Sequence, residues 1–284
     1  MTRSIARDLA RSLGLTSTVR LAGAPGASGN AWIVDSSDGR FVMRLERSVT
    51  LVNSRLAAMA AARGAGLPVP DLVGRATTDH GVVVLLTWLP GRTMLEALSG
   101  SPASSTTLGR LTGRVQRRLH AIHAPDDVVD VLVDRSHPFV AGRGLAGLPT
   151  GSALLHLDWH PLNLLVDDDG TKIVGILDWD NARRGHPVLD LARTEAILRV
   201  EPTLDHLPPA VRGRLDEFRE SWLTAAGSRA LSLPHASRVW AGKVMLADLE
   251  PRYATAPEAL EPLRRWTTKW EQALTTGTGS DPSR

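Results

Sequence analysis

The sequence predicts an α+β fold, with a sheet-rich segment over residues 1–90 and a mainly helical one over residues 91–284. Three observations carry this prediction. Strand-like runs dominate residues 15–90, several of them alternating apolar and polar residues at the period of a half-buried strand. Pro90-Gly91 then punctuates the chain, and beyond it apolar residues recur at helical spacing. The length of 284 residues, with 43% hydrophobic and 22% charged residues, is that of a soluble globular chain able to bury a real core, which excludes disorder as the class.

Taken in order, "MTRSIARDLARSLGL" places Ile5, Leu9 and Leu13 four apart among Arg and Asp, an amphipathic helix that lacks the apolar core of a signal peptide. "NAWIVDSSDGRFVMRLE", residues 30–46, reads as two strands joined through Asp38-Gly39, a hairpin signal. An Ala-rich helix follows from about Leu51 to Arg63, closed by Gly64, Gly66 and then "PVP". "GVVVLLTWL", residues 81–89, is a buried strand. Helices are predicted at 93–99, 104–123, 188–199, 207–226, 236–250 and 257–274. They are interrupted at 153–180 by short aliphatic strands around Asp169-Gly170, a small hairpin embedded in the helical part. The polar ending "TTGTGSDPSR" reads as a frayed tail.

Charge and composition narrow the function. The isoelectric point of about 9.9 accompanies a formal charge of only +3. With no Cys, one Tyr and three Lys, little titrates between neutrality and the arginines, so the high value is a buffering effect. The densest basic stretch, "GRVQRRLH" at 113–120, is spaced like a solvated helix face, and nucleic acid is not an expected partner. The absence of cysteine excludes disulfides and thiolate zinc sites. The longest apolar run, from Val82, is too short to cross a bilayer, and a cytoplasmic protein without a membrane partner is expected.

The chemistry concentrates in "HLDWHPLNLL", residues 156–165. If the chain is extended there, His156, Asp158 and His160 share one face and resemble three metal ligands. If it turns after Asp158, the same letters read HxDxxxxN, a loop presenting one carboxylate and one carboxamide. Fifteen residues beyond Asn163, Asp178 follows an apolar strand in "ILDWDNA", and a hairpin would bring Asp158, Asn163 and Asp178 to one pocket. One carboxylate can then take a proton from an alcohol while the carboxamide and the second carboxylate hold Mg²⁺, a hard cation suited to oxygen ligands and phosphate.

At this point the chain resembles the aminoglycoside phosphotransferase-like (antibiotic and choline kinase-like) branch of the protein-kinase fold. The likeness rests on "LLHLDWHPLNLLVDDDG", "GILDWDNARRGHPVLDLA", "LPGRT", "GLPVP" and "RLHAIH", which in order and spacing cover about residues 20–195. The resemblance implies a two-lobed fold: a nucleotide-binding lobe over 1–90, and a helical lobe over 91–284 with the catalytic hairpin 153–180 and the acceptor site. It implies transfer of the γ-phosphoryl group of ATP or GTP, with Mg²⁺, to a hydroxyl of a small molecule such as an antibiotic or metabolite. Asp158 matches the catalytic aspartate, and Asn163 and Asp178 match the metal pair. His156 and Asp190 match residues that support the catalytic loop. Gly26, Ser28 and Gly29 fall where a loop covers the nucleotide phosphates, and Thr87 to Leu89 fall at the hinge that meets the base. His160 and His120 read as satisfied internal histidines, and Trp159 and Trp179 as packing.

Two departures stand out. Where the family has a lysine on the third strand, "FVMRLE" has Arg44, which can bind phosphate as a planar fork. The helix that should carry its glutamate partner has no acidic residue from Arg47 to Pro70, and Arg55 occupies the glutamate position. Glu46, on the same strand face as Arg44, is the nearest candidate counter-charge. Two arginines about 4 Å apart repel by about 4 kcal/mol at an effective dielectric near 20. The expectation is therefore a site that closes only around an anion, the ATP phosphates. The missing acid motivates a non-catalytic, nucleotide-binding pseudokinase as the alternative, and the HxDxH cluster motivates a metal-dependent hydrolase. Residues 201–284 hold eleven Asp/Glu and eleven Lys/Arg, a balance that favours neutral alcohols at least as much as polycationic aminoglycosides.

Overall fold

The computed structural model describes residues 9–10, 13–15, 20–23 (backbone), 31–100 and 104–276. Most of the expected N-terminal helix, the glycine-bearing loop with Gly26, Ser28 and Gly29, and most of the tail lie outside these residues.

Five antiparallel strands form the first sheet: β1 (Arg20–Gly23), β2 (Ala31–Ser36), β3 (Gly39–Glu46), β4 (Leu72–Thr78) and β5 (Gly81–Thr87), in the order β1-β2-β3-β5-β4. The β2–β3 hairpin turns over Ser37 and Asp38, one residue earlier than Asp38-Gly39, since Ser36 pairs with Gly39. Side-chain alternation splits β5 between two faces. Val83 and Leu85 pack with Trp32, Val34 and Met43, whereas Val82 and Val84 pack with Val52 and Leu56 of helix α1 (Val49–Gly64). A strand covered on both faces needs no polar alternation, hence its unbroken apolar run. Ser48 caps α1 by accepting from the Leu51 amide, and the helix buries Val52, Arg55, Ala58, Met59 and Ala62 along one stripe.

The apolar core does not part where the sheet ends. Ala58, Met59 and Ala62 of α1, with Leu67 and Val69, join the large cluster that continues through the helical part. That part comprises α2 (Met94–Gly100), α3 (Ser105–His120), α4 (Pro187–Val200), α5 (Pro209–Ala226), α6 (Ser228–Leu231), α7 (His235–Leu249) and α8 (Glu261–Thr276). Helix α4 is buried on every side from Pro187 to Leu198, which makes it the central post of this half. Helix α3 turns Arg114, Arg117 and Arg118 to solvent, the face that "GRVQRRLH" spells.

The predicted hairpin 153–180 resolves into two small sheets. β7 (Ala153–Leu155) pairs with β10 (Arg183–Gly185), while β8 (Leu164–Val166) pairs with β9 (Ile173–Ile176) and with β6 (Arg92–Thr93). Only β8 and β9 form the hairpin, turning at Gly170, whose φ of 68° suits a residue without Cβ. Short aliphatic runs carry no label for their partners, so the sequence did not separate the two pairings.

Candidate active site

The loop from His156 to Asn163 leaves β7 and enters β8. Its course is decided at Leu157, which is fully buried with φ of 61°. A bulky residue in the left-handed region costs about 1–3 kcal/mol and persists only where its surroundings over-determine it. Here both of its backbone groups are held by α4. The Leu157 amide donates to Asp190, and Arg193 Nε donates to the Leu157 carbonyl at 3.4 Å. This turn breaks the period-two alternation, so the three-ligand arrangement of His156, Asp158 and His160 does not form.

His156 points into the core. Its Nε2 donates to the Leu177 carbonyl at 2.9 Å, and its ring stands edge-on to Trp159 and Trp179, with centroids 5.5 and 4.9 Å away. Burial pushes the imidazole below its ordinary pKa, against the pull of Asp190 and Asp158. It thereby ties the loop to the segment bearing Asp178. Asp190, fully buried, also accepts from Gln116 Nε2 at 3.0 Å and His120 Nε2 at 2.7 Å. Burial opposes its charge, but the His120 and Gln116 bonds prevail and hold the carboxyl below the usual range.

Asp158 emerges from this base with its side chain 24% exposed. Burial again opposes ionisation, and His160, Arg193 and His156 outweigh it, keeping the carboxyl well below the usual carboxylate range. His160 Nε2 stands 3.4 Å from Asp158 Oδ1. Asn163 Nδ2 donates to Asp158 Oδ2 at 2.9 Å and to the Asp158 carbonyl at 3.0 Å, and the Asn163 carbonyl accepts the Leu177 amide at 2.8 Å. Asp178 is next in the chain, with φ of 53° and a half-exposed side chain. The structure thus brings Asp158, Asn163 and Asp178 to one place.

From the sheet, Arg44 reaches the same place. Its guanidinium contacts Glu46 at 3.2 Å, Asp178 at 3.5 Å and, most closely, Asp180. Arg55 Nη1 contacts Glu46 at 2.8 Å and Asp180 at 2.6 Å. The expected repulsion between Arg44 and Arg55 therefore needs correcting. The anion between them is supplied by the protein itself, and no phosphate is required to bring them together. Asp180 was overlooked because its partners lie over a hundred residues away.

Two arginines face three carboxylates here, Glu46, Asp178 and Asp180, and the surplus charge settles on Asp178. Burial, then Asp180, push the Asp178 carboxyl up to about 6, with Arg44 opposing. Asp180 goes the other way, Arg44 and Arg55 overcoming burial to hold it low. A surplus carboxylate beside a carboxamide is an all-oxygen donor set that suits Mg²⁺. Among the described residues no group of three or more His, Cys, Asp or Glu side chains is arranged to hold a metal ion.

The remaining nucleotide-site expectations fare unevenly. The Thr87 amide donates to the Asp71 carbonyl at 2.9 Å and its hydroxyl accepts the Asp71 amide at 2.8 Å, so both are engaged in closing the sheet. Leu89 follows β5, half-buried. Three supports escaped the sequence reading. Arg193 holds Leu157. Gln116 is fixed by Trp222 Nε1, which donates to its Oε1 at 2.7 Å. Arg183 is bound to Asp134 at 2.6 Å and donates to the Asp180 carbonyl at 3.1 Å. The i, i+3 spacing of Asp190 and Arg193 on one predicted helix was the available signal for the first.

A sheet-rich half and a helical half meeting at an Asp, Asn and Asp site define a two-lobed, protein-kinase-like fold. Solved structures share it. An aminopropanol kinase associated with a microcompartment superposes with a TM-score of 0.68 at 17% identity, covering 97% of this chain and 98% of that one. An aminoglycoside phosphotransferase from Streptomyces rimosus gives 0.55 at 15%, covering 93% and 99%. A macrolide 2'-phosphotransferase from Brachybacterium faecium gives 0.51 at 20%, covering 99% of each. No curated protein sequence matches. The chain belongs to the phosphotransferase enzyme family, whose model matches residues 21–136 and 139–240.

Proposed function

We propose that the chain transfers the γ-phosphoryl group of ATP or GTP to a hydroxyl of a small molecule, an antibiotic or metabolite. The observation that carries this reading is the hydrogen-bonded Asp158–Asn163 pair beside Asp178, with Arg44 reaching Asp178 from the sheet. Asn163 and Asp178 would hold Mg²⁺, which supplies neutralisation of the phosphate charge when bound. Arg44 would offer its fork to the phosphates.

Asp158 would receive the acceptor hydroxyl. A carboxylate held this low is a weak base for a free alcohol, so its first task is to orient the hydroxyl. Phosphoryl transfer through a loose transition state lets the proton leave late, when the forming ester oxygen is far more acidic. Asn163 and His160 keep the carboxylate aimed, and the Leu157 clamp keeps its backbone in place.

The two alternatives lose their motives. The pseudokinase reading drew on the missing acidic partner of Arg44, and Glu46 and Asp180 fill that role. The hydrolase reading drew on HxDxH, and His156 is committed to Leu177. The test is a screen of alcohols and antibiotics for ATP-dependent gain of one phosphoryl group, read by mass spectrometry. On the substrate found, Asp158→Asn should lower turnover by about 10² to 10⁴ with little change in nucleotide affinity. Turnover at the wild-type rate would remove Asp158 from the mechanism.

A further inference from the structure

We propose that Arg55 and Asp180 form a latch tying helix α1 to the Asp178 turn, and that through it they set where Arg44 and Asp178 stand. Both are positioning residues. The consequence for nucleotide binding rests on the phosphotransferase reading above.

Four side chains close a ring of alternating sign: Arg44 contacts Glu46, Glu46 contacts Arg55, Arg55 contacts Asp180, and Asp180 contacts Arg44. The ring joins strand β3 and the helix α1 that follows it to the 3₁₀ turn Trp179–Asn181, over a hundred residues further along the chain. Its inner member is Arg55, whose side chain is only 6% exposed. Taking any member away leaves its two neighbours, which are of like sign, sharing the one counter-charge that remains in the ring.

The ring reaches the reacting centre in two ways. Asp178 lies two residues before Asp180 in the same turn, in a left-handed backbone conformation that needs outside support. Arg183 supplies part of that support from below by holding the Asp180 carbonyl, and the ring supplies the rest from above. Arg44 is the second route, since the contacts to Glu46 and Asp180 aim its remaining nitrogen at Asp178. Helix α1 thus acts on the site with a cation against an acid on the turn.

Arg55 makes both of its contacts through one nitrogen, Nη1, while its Nε and Nη2 are buried without a hydrogen-bond partner among the described residues. A lysine can present one cationic nitrogen to the same two carboxylates. The planar fork is not needed, and this separates ring chemistry from mere filling of space.

Calorimetric titration with Mg·ATP and urea denaturation of four variants test the latch. Arg55→Met should weaken Mg·ATP binding at least tenfold, and Arg55→Lys should stay within threefold of the wild type. Asp180→Asn should weaken it about as much as Arg55→Met, and the double variant should lose no more than the worse single one, because both act through one ring. Unchanged affinity in Arg55→Met, or losses that multiply in the double variant, would overturn the latch. Should Arg55→Met fail to fold, Asp180→Asn decides: tenfold weakening supports the latch and wild-type affinity overturns it. A wild-type protein that binds neither Mg·ATP nor Mg·GTP would sink the phosphotransferase reading instead. The latch is then decided by denaturation of Arg55→Met, Asp180→Asn and the double variant, where non-additive losses support it and additive losses overturn it.

Discussion

Replacing Asp190 by Asn should destabilise the protein by about 3–5 kcal/mol, the cost of breaking a buried ionic group away from its partners. The figure follows from counting donors. The carboxylate receives three N–H groups, from Leu157, Gln116 and His120, and is fully buried. Asparagine of the same shape offers one acceptor oxygen and one NH₂. With the oxygen toward Leu157, the NH₂ faces the donors of Gln116 and His120. His120 can change tautomer, but Gln116 cannot turn, because its oxygen accepts from Trp222 and its nitrogen also donates to Thr194 at 3.0 Å. With the oxygen toward those two, the NH₂ meets the Leu157 amide and the left-handed turn loses its holder. Either way one donor pair clashes, worth about 1–3 kcal/mol, and charge-assisted bonds of about 1.5–3 kcal/mol each are lost. Urea denaturation at neutral pH measures the difference. The Asp190 carboxyl is depressed in the fold, so its stabilisation is present above the unfolded pKa of about 3.9 and is lost as pH falls through the lower folded value. The gap between wild type and variant should therefore narrow below about pH 4. A loss under about 1 kcal/mol, or a gap independent of pH, would refute the reasoning.

Two further outcomes concern stability. Asp178 has a raised carboxyl pKa, so the stability it contributes is present below its unfolded value and is lost as pH rises through about 6. Asp178→Asn should accordingly melt slightly above the wild type in EDTA at neutral pH, by less than about 1 kcal/mol because the half-exposed group is screened, with the difference vanishing toward about pH 4. Melting curves that coincide at both pH values would contradict this. On α3, a Cβ at Gly113 would fall 2.7 Å from the Trp222 carbonyl oxygen of α5, so Gly113→Ala should cost about 1–3 kcal/mol. Gly213, exposed in the second turn of α5, has nothing within 4 Å of the added Cβ, and Gly213→Ala should add about 0.5–1 kcal/mol. Thermal denaturation of both variants would expose an error if the signs were equal.

Elements whose start, stop and period are marked by nearby residues were legible in the sequence. Helix Pro187–Val200 was expected at 188–199 and helix His235–Leu249 at 236–250, because helical period and flanking prolines are local signals. The same holds for the identities of Asp158, Asn163 and Asp178, which a motif spells. What was not legible depended on contacts across the chain. Nothing in "ALL" and "LLV" says that the first pairs with Arg183–Gly185 and the second with Ile173–Ile176. Leu157 gives no local hint of positive φ, since the cause is two side chains of α4. Arg183, paired with Asp134 far upstream, was equally silent.

The substituted arginine shows why position alone misleads. A helix without acid left Glu46 as the one counter-charge of Arg44 legible in the sequence, because the other lies far along the chain. What the site requires is alternation of sign among neighbours, and alternation can be met from any segment that reaches. Glu46 reaches from two residues along the strand, and Asp180 reaches from the far turn. Once Arg55 stands between them, each acid is shared by two arginines and neither is free to repel Asp178 at full strength. The third carboxylate is then the one least matched by a cation, and it is the most exposed of the three. A glutamate at position 55 would place four acids around Arg44 and push still more surplus charge onto the turn. Retaining arginine at 55 is therefore the choice that fits an aspartate at 180.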